Sequence, residues 1–228
     1  MKLISIIALV LVIVVGWFVV VPMVAPGVTE KTVVRDAQVF LGDTCAASNQ
    51  SELALSMYEG ALTMNATDPV ILKKKGSMLL KCGRASEAET VYQQILSRDP
   101  NDVTALVKTG DSLASKGSLT EAIRYYDAAL AINPEDASTL VKKGDAYLMM
   151  SMAETQKLSA AAKGLTDQAG SAPVVQMQNA NSYQEAMSSY QKAMQIDPKL
   201  SVVVSARVMT ATQSQVSGYQ DILNNMNS

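Results

Sequence analysis

Thr109 to Pro134 reads TGDSLASKGSLTEAIRYYDAALAINP. Gly110 interrupts one short helical pattern and Gly117 ends it. Ala122, Ile123, Tyr126, Ala129 and Leu130 then recur at the spacing of a single helical face. The stretch therefore predicts two short helices joined by a glycine turn. One such pair cannot bury its own apolar face, so the pattern has meaning only if copies of it stack.

Copies are present. Gly42, Gly76, Gly110 and Gly144 follow one another at 34-residue intervals. Twelve residues after the first three stand Ala54, Ala88 and Ala122, and sixteen after stand Tyr58, Tyr92 and Tyr126. Pro100 and Pro134 close the second and third copies. The fourth keeps the mutual offsets of its ending, Ala186, Tyr190 and Pro198, displaced by 30 extra residues. A fixed period with small, aromatic and proline columns marks a repeat architecture. The small columns allow two helices to approach closely, the tyrosine rings fill the space between pairs, and the prolines stop each second helix.

These columns resemble the tetratricopeptide repeat, of the membrane-anchored prokaryotic type, from Arg35 to about Leu200. Departures fall in the family's tryptophan column, which reads Gln38, Leu72, Leu106 and Leu140, and in the first copy, where Ala66 replaces the proline. The resemblance implies an all-α fold: a right-handed superhelical array of helix-turn-helix repeats, preceded here by one N-terminal transmembrane helix. The expected divisions are a signal-anchor at 1–25, a connector at 26–34, repeats at 35–68, 69–102, 103–136 and 137–200, and a capping helix at 201–228.

The anchor rests on LISIIALVLVIVVGWFVVVPMVA, Leu3 to Ala25, which carries no charge. About 20 apolar residues suffice to cross a bilayer. A cleaved signal peptide would have a shorter apolar region, of about 7–15 residues, and a small-x-small cleavage site. Here the best cut, after Ala25, has Met23 three places inward and Pro26 just beyond. With Lys2 before the span and only the mixed Glu30 and Lys31 after it, the positive-inside rule places the amino terminus in the cytoplasm. The repeats are then extracytoplasmic, close to the bilayer, with residues 3–24 in the membrane.

Two features lie beyond the regular array. Ser151, where the extra 30 residues begin, takes the place of the turn glycines Gly83 and Gly117. Leu158, Ala161 or Ala162, and Leu165 continue a helical stripe outward, and Val174, Met177 and Ala180 bring one back. The insertion 151–180 thus reads as both helices of copy four extended into a projecting hairpin, with AGSAP at its tip, or else as a loop. After Pro198 a stripe of Leu200, Val204, Val208 and Ala211, continued by Val216, Tyr219 and Leu223, predicts a terminal helix with a polar outer side, as repeat arrays require.

The composition is poor in chemistry. There is no histidine, which removes the commonest general base and metal ligand. Cys45 and Cys82 stand apart without a paired-cysteine motif, and Cys45 shares an inward column with Leu79, Leu113 and Tyr147. A net charge of −2 offers no footprint for nucleic acid. No enzyme, cofactor or metal is expected; a protein or peptide partner is.

The candidate binding residues are charged and periodic. Lys74, Lys108 and Lys142 precede their column glycines by two residues, and Asp43, Asp111 and Asp145 follow theirs by one. In the resembled family this side of the first helix lines the concave groove where partner peptides lie. Lys108–Asp111 and Lys142–Asp145 are three apart, where opposite charges pair weakly. In copy two Ser77 replaces the aspartate beside Lys73, Lys74 and Lys75, predicting net positive charge there. The family's carboxylate clamp needs asparagines that this chain lacks. The expected role is a membrane-anchored scaffold, adaptor or assembly factor; the alternative is a structural subunit of an envelope complex, held by the 151–180 hairpin and the cap.

Overall fold

A computed structural model describes residues 30–164 and 176–226, which form two compact units divided after Arg84. The first holds helices α1 (Glu30–Ala47), α2 (Ser51–Leu62) and α3 (Pro69–Lys81). The second holds α4 (Ala85–Leu96), α5 (Val103–Ser115), α6 (Leu119–Ile132), α7 (Ala137–Gly164) and α8 (Gln176–Ile196). A 3-10 turn, Pro198–Leu200, then leads into α9 (Ser201–Met226). The division passes through the expected second repeat, leaving α3 in one unit and α4 in the other.

Helix starts are set by a column the sequence reading did not use. Asp68 and Asp102 cap α3 and α5, accepting from Val70 N at 2.9 Å and from Ala105 N at 2.9 Å. Asp136 does the same before α7, from Ser138 N at 3.1 Å. Each side chain satisfies a backbone donor that the first turn leaves orphaned. The corresponding residue of copy one is Val34, and there the helix is not stopped: α1 begins at Glu30.

Helix ends are set by left-handed residues. Gly83 and Gly117 have φ of 74° and 79°. The next amides, Arg84 N and Ser118 N, reach back to Leu79 O and Leu113 O at 2.9 Å, closing two Schellman turns. Asn49, at φ 59°, fills the same place after α1, with Gln50 N on Cys45 O at 2.8 Å. Where copy four has Ser151, no such turn forms and α7 runs on to Gly164. Both arms of the insertion are therefore helical over 151–164 and 176–180, against a loop reading of these parts. Its tip, AGSAP, lies outside the described residues.

The core follows the columns. Ala54, Ala88, Ala122 and Ala186 are fully buried, as are Tyr58, Tyr92, Tyr126 and Tyr190 to within a few per cent. In the second unit Leu113, Ala122, Ile123, Tyr126 and Ala146 form one cluster, and Leu140, Leu148, Ala186, Tyr190, Val204 and Ala211 another. Cys45 and Cys82 are free thiols, both half-buried.

The outer side of α9 corrects one expectation. Val204 and Ala211 are buried against α7 as foreseen, but Val202, Met209 and Val216 are exposed on other sides of the helix. The outside of the cap carries the expected Ser, Thr and Gln, interrupted by these apolar residues, and Val216 does not join the buried stripe. Among the described residues no helix is long and apolar enough to cross a membrane; the run Leu3–Val24 lies outside them.

Candidate functional site

Every candidate residue falls on the first helix of its repeat. In the first unit Lys73, Lys74 and Ser77 lie on α3; in the second, Lys108 and Asp111 lie on α5 and Lys142 and Asp145 on α7. Lys73 to Ser77, KKKGS, lie within one helix.

The ion pairs do not follow the expected local spacing throughout. Lys74 Nζ donates to both carboxylate oxygens of Asp43 at 2.6 Å, 31 residues back on α1. Lys142 Nζ likewise bonds Asp111 at 2.7 and 2.8 Å, rather than Asp145 on its own helix. The physical reason is lateral packing: a lysine leaning toward the preceding repeat meets that repeat's aspartate. Lys108 alone keeps the local partner, Asp111, at 3.2 Å. Asp145 is bonded by Arg207 of α9, so the terminal helix supplies the cation that a further repeat would supply. Copy two is accordingly not a cluster of uncompensated charge: Lys74 is neutralised by Asp43, and Lys75 pairs with Glu59 at 2.9 Å.

The tyrosine column completes each group. Tyr58, Tyr126 and Tyr190 donate their hydroxyls to Asp43, Asp111 and Asp145 at 2.8, 3.0 and 2.7 Å. A carboxylate on one helix thus joins the ring of its own repeat to the cation of the next. Burial and the adjoining aspartates push all three phenols well above their ordinary range. Burial opposes the ionisation of Asp43, yet hydrogen bonds from Lys74 and Tyr58 outweigh it and hold the carboxyl below its usual value. The tyrosines thus do more than pack. The offset of fifteen from Asp43 to Tyr58 and from Asp111 to Tyr126 is the signal in the sequence, lengthened to 45 between Asp145 and Tyr190 by the insertion.

Chemically, the row offers hydrogen-bonding groups whose charges are largely matched. It has no arrangement of nucleophile and base. Among the described residues no cluster of histidine, cysteine or carboxylate side chains is able to hold a metal ion.

Comparison with known proteins agrees with this architecture. The family description Tetratricopeptide repeat matches residues 74–137 and again 178–200. A solved MamA structure superposes with a TM-score of 0.58 at 16% identity, over 85% of this chain and 92% of that one. A second, MamA 41-end from Desulfovibrio magneticus RS-1, gives 0.58 at 18% identity, over 87% and 95%. At such identities the likeness speaks for the fold alone. No curated protein matches the sequence.

Proposed function

We propose, for a chain that belongs to the tetratricopeptide-repeat family, the role of a scaffold that binds a protein or peptide partner along the first-helix row. The observation that carries this reading is the repeated Asp–Tyr–Lys group. It holds Lys108, Lys142 and Asp145 in fixed places while leaving their side chains about one-third exposed. Side chains held in place lose less freedom on binding, so a partner is recognised by regularly spaced hydrogen bonds at a reduced entropic penalty.

The finer reading is that Leu3–Val24 anchors this scaffold and that the repeats act on the extracytoplasmic side. Support comes from the uncharged run and from Lys2 before it. A photo-crosslinking residue at Lys108 in native membranes, followed by mass spectrometry, tests the partner. Protease added to intact cells tests the topology: digestion of the repeats with an uncut amino-terminal peptide is expected. Crosslinks that arise only from the insertion would favour the second reading, a structural subunit held by the hairpin. That reading draws on the length of α7, 28 residues against 13 for α5.

A further inference from the structure

The first helix carries an apolar stripe that the rest of the array does not cover. Val34, Phe40 and Leu41 on α1 are 38%, 70% and 51% exposed, with Ala37 exposed between them and Thr44 exposed one turn further on. The residues recur at the three- and four-residue steps of one helical face. Lys31 and Arg35 fall outside it; Glu30, four residues before Val34, lies on the same face at the end nearest the connector, and Asp36 and Asp43 border it beside Phe40.

The later repeats show what this face receives when a repeat precedes it. Lys74 and Lys75, 34 residues after Phe40 and Leu41, pair with Asp43 and Glu59 of the preceding pair. In the second unit Lys142 and Lys143 pair with Asp111 and Asp127 in the same way. Copies two and four thus stack through two adjacent cations. Copy three has Lys108 and the buried Thr109 at these places and keeps Lys108 on Asp111 of its own helix. Phe40 and Leu41 supply none, so α1 lacks the cross-repeat ion pairs by which copies two and four meet the repeat before them.

We propose that this stripe lies on the lipid bilayer, with Val34, Phe40 and Leu41 entering the boundary between headgroups and acyl chains. The proposal rests on the reading of Leu3–Val24 as a membrane span. Five residues, Ala25 to Thr29, separate that run from Glu30. Fully extended they reach only about 18 Å, so the stripe is tethered beside the surface at a very high effective concentration of lipid. An apolar helical face of this kind settles about 5–10 Å into the interface. The absent Asp cap, replaced by Val34, lets α1 extend back toward the connector.

Trp17, the sole tryptophan, and an engineered one provide the test. The full chain is reconstituted in phosphatidylcholine vesicles with or without brominated acyl chains, as wild type and as Trp17→Phe/Phe40→Trp. Folding is checked by thermal melting, and Trp17→Phe/Leu41→Trp serves as a second probe of the same stripe. The expected result is blue-shifted emission from positions 40 and 41 that bromines near the headgroup end of the chains quench. Quenching of Trp17 with water-like, unquenched emission at 40 and 41 would overturn the proposal while leaving the anchor standing. Failure of the bromines to quench Trp17 would remove the anchor and the proposal together. Emission at 40 that is shielded yet unquenched would assign the stripe to a protein surface instead, and its loss on dilution would identify a second copy.

Discussion

A Cβ built on Gly110 would stand 2.5 Å from a ring carbon of Tyr126, inside any contact that real side chains make. Gly42 with Tyr58, and Gly144 with Tyr190, repeat the relationship at 2.5 and 2.7 Å. Gly42, Gly110 and Gly144 therefore leave the room in which the rings sit. Gly110→Ala gains about 1 kcal/mol of helix propensity but overpacks the site by about 1–3 kcal/mol, so a net loss is expected. Gly60→Ala is the control. Its new methyl would meet the amide end of Gln38, which is flexible and able to swing away, so the change should be neutral or stabilising. Urea denaturation ranks the two, and a harmless Gly110→Ala would contradict the assigned packing.

Gly117 and Asn49 test the turns. Nothing lies within 4 Å of a Cβ at Gly117, so Gly117→Ala should act through backbone strain alone. A left-handed conformation disfavours a side chain by about 1–2 kcal/mol, and that loss is expected. Asn49→Gly removes the same strain from the first repeat and should stabilise it by a fraction of that amount. Opposite shifts in melting temperature for the two variants check the assignment.

The repeat was legible because its signals are one-residue-per-copy columns that tolerate little else: Gly110 under a ring, Ala122 at zero exposure, Tyr126 in the core. The ion pairs were less so. A sequence shows Lys142 three residues from Asp145, whereas the structure sets it on Asp111, because distance along the chain does not reveal which helix lies alongside. Asn49 escaped for a different reason. It stands among polar loop residues, and nothing local distinguishes a left-handed asparagine from a solvated one. On α9 the Ser, Thr and Gln outer side was legible, whereas the exposure of Val202 and Met209 was not, because an apolar residue in a sequence does not reveal whether a neighbour covers it.

Stability should decline at both ends of the pH range through the same groups. The three repeat tyrosines have folded pKa values raised above the ordinary 10.0, chiefly by burial. Their contribution is complete below pH 10 and is lost as pH rises, because the unfolded chain ionises first. Asp43 behaves inversely. Its folded value lies below the ordinary 3.8, so its contribution is present above that pH and lost as the solution is acidified through the folded value. Denaturant midpoints measured from pH 3 to 11 should show both declines. Tyr126→Phe should reduce the alkaline one while costing about 1.5–3 kcal/mol at neutral pH, the range for a hydrogen bond to a charged group.

Separating binding from folding requires substitutions that respect the ion pairs. Lys142→Glu would set a carboxylate against Asp111, whose side chain is only 16% exposed, and so would weaken the fold as well as the groove. Lys142→Gln and Lys108→Gln keep a donor within reach of that acceptor. Half-exposed pairs of this kind contribute about 0–1 kcal/mol, so both variants should melt close to wild type. Lys157→Gln, on an exposed position of the insertion arm, changes the same charge away from the row. If the partner lies along the first helices, the two row variants should weaken its binding, each by about 0.5–1 kcal/mol, and Lys157→Gln should not. Because Lys108 and Lys142 share the single carboxylate of Asp111, the group keeps net positive charge. The loss should therefore shrink as salt is raised, since attraction by net charge is screened within about 10 Å at 0.1 M. Titration of the captured partner against the three variants at two salt concentrations decides the matter. Full affinity in the row variants with loss at Lys157 would move the binding surface to the insertion.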